Sequence, residues 1–153
     1  MDAVDHRILD LLQHDAARSV SEIAEQVHLS TTACWKRVQK LEESGVIRKR
    51  VALLDAAKLR VGVTVFVAIK TNQHNADWFN RFHAAVTAIP EVVEFYRMSG
   101  DVDYLLRIVV PDIAGYDGVY KRLIHEIDLA DVSSSFAMEQ LKFTTALPLA
   151  YAP

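Results

Sequence analysis

The sequence lacks the features of several classes of protein. It has 153 residues and a single cysteine, Cys34, so no disulfide can form within the chain. Its longest apolar run, residues 61–69, is far shorter than the ~20 residues that a membrane-spanning helix needs. No basic segment followed by an apolar one opens the chain, so we expect a protein of the reducing cytoplasm. Only 5 glycines and 4 prolines, with 51% apolar residues, indicate a globular chain.

Positive charge is also scarce overall, since 17 lysines and arginines stand against 20 aspartates and glutamates. A formal charge of −3 gives no general reason to expect nucleic acid or an anionic membrane as a partner. Residues 30–50 are the exception, because they hold six basic residues and only two acidic ones. The six are Lys36, Arg37, Lys40, Arg48, Lys49 and Arg50. Such a cluster is most often a solvated helix surface, so its structural setting decides whether it binds nucleic acid.

Three helices are predicted in the first part of the chain. Apolar residues recur at helical spacing over 4–14, which predicts a first amphipathic helix. Ser19 and Glu22 form a capping box for a second, short helix. Ser30 can cap a third helix that ends at Gly45. A short helix, a tight turn and a longer helix together predict a helix-turn-helix.

The third helix has an apolar face and a polar face. Cys34, Val38 and Leu41 share one stripe and are predicted to pack inward, Cys34 as an ordinary core residue rather than a redox sensor. The opposite face suits the major groove of DNA, where Thr and Gln meet base edges and Lys or Arg meets guanine or phosphate. The candidate DNA-binding residues here are Ser30, Thr31, Thr32, Trp35, Lys36, Arg37 and Lys40. The alternative for Trp35 is a partly buried wall between helices.

A β-rich run at 46–54 follows the third helix and is predicted to leave the DNA-binding unit as a strand. Arg48, Lys49 and Arg50 near its start are further candidate DNA-binding residues. They would neutralise backbone phosphates and add affinity and salt dependence without reading sequence. Residues 55–60 are then a hinge between two domains.

The second half of the sequence alternates strands and helices. The predicted strands are 61–70, 92–98, 102–110 and 132–143, and the predicted helices are 76–89 and a segment from Pro111 whose apolar residues reach Ile127. The order β-α-β-β-α-β predicts a ferredoxin-like sandwich, an α+β fold with a four-stranded antiparallel sheet and both helices on one face. The uncovered face must be buried, and a second copy is the simplest partner. We therefore expect two domains, 1–60 and 61–153.

Four segments, in order along nearly the whole chain, carry a resemblance to a known family. They read STTACWKRVQKLEESGVI, VALLDAAKL, GDVDYLLRIVVPD and SSSFAMEQLKFTTALPL. The chain resembles the leucine-responsive regulatory protein and AsnC (Lrp/AsnC) family of bacterial and archaeal transcription factors, and TTACWKR and SSFAMEQ resemble its DecR-like subgroup. The resemblance implies a winged helix-turn-helix that reads DNA. It also implies a C-terminal effector and assembly domain that forms dimers and then tetramers or octamers.

The resemblance further implies an amino-acid effector site beside the loop between the second and third strands, near where neighbouring dimers meet. In that loop, Gly100 offers free N–H groups to a carboxylate, and Asp101 or Asp103 can pair with an ammonium group. The candidate effector-binding residues are Met98, Gly100, Asp101, Asp103, Tyr104, Asp112, Ser133, Ser134, Ser135 and Phe136. The alternative is a plain hairpin turn with no ligand.

No pattern in the sequence indicates catalysis or a resident metal. The glycines form no phosphate-binding loop, the six histidines show no metal-ligand spacing, and no base or nucleophile is identifiable near Asp101 and Asp103. We therefore predict a regulator rather than an enzyme, which binds double-stranded DNA and assembles with further copies of itself.

The only small molecule expected is the amino-acid effector, with no other cofactor. The resemblance makes cysteine, another sulfur amino acid or a small apolar one the expected effector, acting through changes in oligomeric assembly. An architectural DNA-binding protein of the same fold, with no effector, is the alternative.

Overall fold

The computed structural model describes residues 1–126 and 128–153, which fold into two compact units. The first unit combines Met1–Leu53 with Leu141–Pro153, and the second comprises Leu54–Gln140. This division differs from the predicted one chiefly because the C-terminal end of the chain packs with the first unit.

Three capped helices build the first unit. They are α1 (Ala3–His14), α2 (Val20–Gln26) and α3 (Thr31–Glu43). The side chains of Asp2, Ser19 and Ser30 accept hydrogen bonds from backbone N–H groups of the first turns, which helices otherwise leave unpaired. Ser19 and Glu22 form the capping box that the sequence predicts. The helix-turn-helix prediction is confirmed.

The apolar stripes of these helices meet in one core. Ile8, Ile23, Cys34 and Val38 are each no more than 1% exposed. The burial of Cys34 raises the pKa of its thiol, which keeps the group protonated at neutral pH. A neutral, buried thiol is a packing residue, because only the thiolate is reactive. The prediction that Cys34 belongs to the core is confirmed.

The turn between α2 and α3 is a helix C-cap with a left-handed residue. The Leu29 N–H donates to the Ala24 carbonyl at 2.9 Å and the His28 N–H to the Glu25 carbonyl at 3.3 Å, the pattern of a Schellman motif. His28 adopts a φ of 56°, where glycine is the usual residue. The tight turn brings Ser30 to the position from which it caps α3.

The chain leaves α3 through Gly45, whose φ of 75° lies in the left-handed region. The predicted strand at 46–54, and with it the wing, is absent from the described residues, where this segment has no regular structure. The prediction is wrong for a single chain because a strand needs a neighbour that pairs with its backbone N–H and C=O groups. β-Branched residues alone do not supply one. Val51, Leu53 and Leu54 are accordingly exposed.

The C-terminal segment completes the first unit. The side-chain amide of Gln13 donates to the Leu147 carbonyl at 3.2 Å and accepts from the Leu147 N–H at 2.9 Å. Leu149 belongs to a short 3-10 helix, Leu149–Tyr151, and packs against the core of the three helices. The first unit is therefore built from both ends of the chain.

The second unit has the predicted β-α-β-β-α-β order. Its elements are β1 (Val63–Lys70), α4 (Ala76–Thr87), β2 (Val92–Arg97), β3 (Tyr104–Val110), α5 (Ile113–Glu126) and β4 (Asp131–Phe136). The strands are antiparallel in the order β2-β3-β1-β4, which confirms the ferredoxin-like fold. β4 is shorter than predicted because its pairing with β1 ends where Phe136 lies opposite Val65. Ile127, which the sequence assigns to the apolar stripe of this last helix, lies outside the described residues.

The two faces of the sheet differ in burial. On β3, Leu106, Ile108 and Val110 point toward the helices and are no more than 1% exposed. They share a core with the fully buried Phe82 and with Trp78, which is 2% exposed. The alternation of strand side chains thus places α4 and α5 over one face only.

The opposite sheet face is partly apolar and open. It carries Phe66 at 39% exposure and Tyr96 at 50% exposure. Between them, Arg107 pairs with Glu94 at 2.6 Å and holds the pKa of that carboxyl below its usual value. We call this surface, formed by the outward side chains of the four strands, the open sheet face.

Candidate nucleic-acid interface and ligand loop

The first turn of α3 presents polar and aromatic side chains to solvent. The hydroxyl of Ser30 accepts a hydrogen bond from the Ala33 N–H at 3.2 Å, so it is engaged as the helix cap. Thr31 and Thr32 are exposed. Trp35 exposes half of its surface, which fits either of the two roles that the sequence leaves open for it.

Two lysines extend the same surface along α3. Lys36 and Lys40 lie one turn apart and are exposed, whereas Cys34, Val38 and Leu41 are buried on the other side of the helix. Hydroxyl groups at the start of a helix and ammonium groups one and two turns later can meet base edges and phosphates together. The surface therefore has the chemistry of a recognition helix.

Arg37 differs from these lysines because it is engaged by two carboxylates of α1 and its cap. Its Nη1 donates to Asp2 Oδ2 and to Asp5 Oδ1, both at 2.7 Å. Hydrogen bonds from the Asp5 N–H and from Arg37 lower the pKa of Asp2, and the carboxylates of Asp5 and Asp2 raise the pKa of Arg37. The predicted DNA-binding residue is thus an ion-pair partner within the unit.

The basic residues after α3 divide in the same way. Arg50 Nη2 lies 2.8 Å from Glu42 Oε1, so its charge is met by a carboxylate of α3. Arg48 and Lys49 are exposed. Six residues form the predicted basic cluster, and Arg37 and Arg50 are its members in ion pairs with described carboxylates. The two lysines of α3, Arg48 and Lys49 are exposed and form no ion pair with another described residue.

The loop between β2 and β3 closes as a short turn. The Met98 N–H donates to the Asp103 carbonyl at 2.8 Å. Gly100 adopts a φ of 104°, and a Cβ built there would meet no atom of a described, non-adjacent residue within 4 Å. Asp101 is exposed. The turn therefore combines an open, glycine-dependent backbone with one exposed carboxylate.

Asp103 has a structural role that the sequence does not reveal. Its Oδ2 accepts a hydrogen bond from the Thr71 N–H at 2.8 Å, and its own N–H donates to the Ile69 carbonyl at 3.0 Å. The side chain thus fastens the turn to the end of β1. Of the two aspartates predicted to bind an ammonium group, Asp101 is the one whose carboxylate faces solvent.

Tyr104 is a core residue in the structure. It is 7% exposed, and its ring lies 4.8 Å from that of Phe82 and 5.8 Å from that of Phe95, measured between centroids. The burial follows from its position at the start of β3 on the face that the helices cover. The predicted contact of its side chain with an effector is therefore not available in this conformation.

Asp112 and Phe136 lie at the far end of the sheet from the turn. β3 runs from Tyr104 beside the turn to Val110 beside Asp112, and seven residues span about 20 Å in a strand. Phe136 is paired opposite Val65, toward the same far end. The predicted effector-binding residues therefore do not converge within one protomer.

The three serines of β4 are divided between the sheet faces. The Ser134 hydroxyl is hydrogen-bonded to the Tyr116 hydroxyl, and burial raises the pKa of that tyrosine. Ser133 and Ser135 alternate with it and lie on the open sheet face. The Asp112 carboxylate accepts a backbone N–H of the first turn of α5 at 2.7 Å. Ser134 and Asp112 therefore both have partners inside the unit.

Sequence reasoning missed Asp2 and Asp5 as residues of the interface region. Their spacing before an apolar helix is a capping-box pattern, and the structure contains that box. The pattern could have predicted the helix start. It could not have predicted the bond to Arg37, because that partner lies more than 30 residues away and only the fold brings it close.

The residues that the structure describes include neither a metal-ligating cluster nor a membrane-spanning helix. Those residues include no group of three or more His, Cys, Asp or Glu side chains that could hold a metal ion. They also include no helix with the length and apolar character required to cross a membrane.

A helix-turn-helix with an exposed basic face, followed by a ferredoxin-like sandwich with an open turn, is the arrangement of a DNA-binding transcriptional regulator with a ligand-binding domain. Residues 1–42 match the AsnC-type helix-turn-helix domain. Residues 64–147 match the Lrp/AsnC ligand binding domain. The chain therefore belongs to the Lrp/AsnC family.

Proteins similar to this chain are transcriptional regulators. The DNA-binding transcriptional activator DecR of Escherichia coli strain K12 is 49% identical over 150 residues, which cover 97% of this chain and 99% of that protein. The crystal structure of an AsnC family transcriptional regulator from Agrobacterium tumefaciens is 60% identical, with a TM-score of 0.97 and full coverage of both chains. A transcriptional regulator from Neisseria meningitidis, solved as an L-Met complex, is 31% identical, with a TM-score of 0.93 and 97% coverage of each chain. The family and the regulatory class predicted from sequence are confirmed.

Proposed function

We propose that this regulator reads DNA with the exposed surface of α3 and that an amino acid bound to its second unit changes how copies of the chain assemble on DNA. The observation that carries the first part is the exposed pair Lys36 and Lys40, which continues the surface of Thr32. In a helix-turn-helix this surface enters the major groove, where hydroxyls meet base edges and lysines meet guanine or phosphate.

The salt dependence of DNA binding tests this surface. Fluorescence anisotropy with DNA from upstream of the gene is measured over a range of salt concentrations. The slope of log K against log salt is negative, and Lys36→Ala and Lys40→Ala should each make it less steep by about 0.9, the contribution of one phosphate contact. Lys121→Ala removes an exposed lysine of α5 and is the matched control, so its slope should stay that of the wild type. An unchanged slope in both α3 variants would contradict the assignment.

The effector part of the proposal places an amino acid at the turn 98–103. Backbone N–H groups around Gly100 would hold its carboxylate, and Asp101 would pair with its ammonium group. The proposed effector is a sulfur or small apolar amino acid, cysteine included. The L-Met complex concerns the Neisseria regulator, and as a sulfur amino acid in a similar protein it supports the first of these classes. Because the other candidate residues are spread over both ends of the sheet, a neighbouring copy would complete the site.

Calorimetry with the twenty amino acids tests the effector site. At least one should bind to the wild type, and Asp101→Asn should weaken that binding because the ammonium group loses its counter-charge. Gly100→Trp should abolish it by filling the turn. Gly118→Trp is the matched control, since Gly118 is exposed on α5 and has open space around it. The effector proposal fails if none of the twenty binds.

The proposed assembly uses the open sheet face, which a second copy would cover. Phe66 and Tyr96 expose apolar surface there, and sheets of this kind are commonly buried by symmetric pairing. Phe66→Glu should shift the protein toward smaller species in analytical ultracentrifugation. Ile113→Glu changes a residue of α5 that is 72% exposed and should leave the size distribution unchanged. If Phe66→Glu leaves the size distribution unchanged, as the control should, the proposed interface is contradicted.

The proposal needs no cofactor besides the amino acid and no catalytic step. DNA binding with little sequence preference, together with no response to any amino acid, would instead favour an architectural protein of the same fold. Binding that depends on sequence and changes when the effector is added would support the regulator.

A further inference from the structure

We infer that Arg37 is a positioning residue of the DNA-binding unit, which fixes α3 against the start of α1 and makes no contact with DNA phosphate. This inference rests on the proposed function, because it assumes that the surface of α3 meets DNA. One of the six residues of the basic cluster would then hold α3 in position and would not bind DNA directly.

Arg37 lies in a network of hydrogen bonds with Asp2, Asp5 and the start of α1. Arg37 Nη1 donates to Asp2 Oδ2 and Asp5 Oδ1, each at 2.7 Å. Asp2 Oδ1 caps α1 by accepting the N–H groups of Val4 and Asp5 at 3.0 and 2.9 Å. Asp5 Oδ2 accepts the Asp2 N–H at 3.1 Å. All four carboxylate oxygens of the two aspartates are thus engaged, two by Arg37 and two by the backbone of α1.

Removing Arg37 from this network would leave the Asp5 carboxylate without a nearby positive charge and with little access to water. The side chain of Asp5 is only 17% exposed, and its ion-pair partner is Arg37. A phosphate that drew Arg37 away would therefore leave a largely covered carboxylate without its counter-charge, which is costlier than losing a surface pair. The same carboxylates line a depression together with Lys36 and Lys40, so once Arg37 had left them their uncompensated charge would oppose DNA at the proposed interface.

The bonds also explain how Arg37 could set geometry. They tie one turn of α3 to the cap and the first turn of α1, 35 and 32 residues earlier in the chain. Both carboxylates are held by one nitrogen, Nη1, of a planar guanidinium group, which directs its N–H groups more rigidly than a lysine ammonium group on its flexible stem does. The position of Lys36 and Lys40 relative to the rest of the unit follows from where α3 is held.

Salt-dependent DNA binding of full-length variants separates positioning from phosphate contact. Arg37→Ala should weaken binding by about tenfold while the salt slope stays that of the wild type, because no phosphate contact is lost. Arg37→Lys should recover part of the loss. The double variant Asp2→Asn with Asp5→Asn should also bind more weakly, although it adds net positive charge beside the lysines. Asparagine can still cap α1, so this variant removes the ion pairs and keeps the helix start.

The phosphate-contact alternative predicts the opposite results. It requires the salt slope to become less steep by about 0.9 in Arg37→Ala. It also requires the double asparagine variant to bind more tightly, because Arg37 would be released toward DNA. Either of these results, or an unchanged affinity in Arg37→Ala, overturns the inference.

Two further measurements keep the test specific. Hydrogen exchange of the first turn of α1 should become faster in Arg37→Ala while the second unit keeps its protection, which shows that the variant is folded. Lys36→Ala changes the matched cation next to Arg37 and should make the slope less steep by about 0.9. If neither Lys36→Ala nor Lys40→Ala does so, the proposed DNA surface is wrong, and this result is separate from the outcome at Arg37.

Discussion

Replacing His28 with glycine should stabilise the helix-turn-helix. His28 is the left-handed residue of the Schellman motif between α2 and α3, with a φ of 56° and an exposed side chain. An L-residue in this conformation costs roughly 1–2 kcal/mol, and histidine is at the low end because it enters this region more readily than most residues. Glycine has no Cβ to clash there, so the substitution relieves the strain of the folded turn.

The expected size is set by two opposing effects. Glycine gains the relief of backbone strain but loses about 0.5–1 kcal/mol through the greater freedom of the unfolded chain. The net stabilisation should therefore be about 0.5 kcal/mol, or roughly twofold in the opening equilibrium of the turn. Gly45→Ala gives the reverse case, since Gly45 has a φ of 75° and open space around the missing Cβ. It should destabilise the unit by about 1 kcal/mol.

Hydrogen exchange resolved by mass spectrometry is the suitable assay because the chain has two units and a single global transition is not assured. Peptides covering α2 and α3 should exchange about twofold more slowly in His28→Gly and about fivefold faster in Gly45→Ala. Peptides of the second unit are the internal control. Faster exchange in His28→Gly, or slower exchange in Gly45→Ala, would refute the backbone argument.

Three further predictions follow from individual contacts. Asp103→Ala should lower the melting temperature of the second unit more than Asp101→Ala does, because Asp103 accepts the Thr71 N–H and Asp101 is exposed. Gln13→Ala should speed hydrogen exchange of the C-terminal segment by at least about fivefold, the equivalent of one net hydrogen bond, because both bonds to Leu147 are lost. Acidification below 4.5, the ordinary pKa of Glu94, should progressively weaken the second unit in a pH-dependent urea titration. The lowered pKa of that carboxyl means that its stabilisation is present above 4.5 and is lost as pH falls through the folded value.

Each of these three predictions can be contradicted by a specific result. Equal melting temperatures for the two aspartate variants would show that the bond to Thr71 adds nothing to stability. Normal protection in Gln13→Ala would mean that packing of Leu149 holds the segment by itself. Arg107→Ala should remove the part of the acid response that belongs to Glu94, and an unchanged profile would assign that response to other carboxylates.

The parts of the fold that follow local rules could be predicted from the sequence. Ser19 and Glu22 define a helix start because both bonds of a capping box form within four residues. The turn at Gly100 is equally local. The four strands could be predicted because β-branched runs of suitable length lie between turn residues.

The parts that depend on distant partners could not be predicted. The segment 46–54 has the composition of a strand, but whether it becomes one depends on a neighbour that one chain does not provide. The role of Arg37 depends on Asp2 and Asp5, which no local pattern links to it. The effector candidates are inferred from a resemblance to a family, yet the strand register places the turn and Asp112 at opposite ends of the sheet. In each case the missing information is tertiary.

The packing of the C-terminal segment into the first unit has a consequence during synthesis. The three helices leave the ribosome before the second unit does, but Leu147 and Leu149, which bind Gln13 and the helical core, are made only after the second unit. The first unit therefore cannot reach its final packing until residues 141–153 have been made. A chain that stops shortly after β4 would carry a complete sheet and a helix-turn-helix whose core is still unfinished.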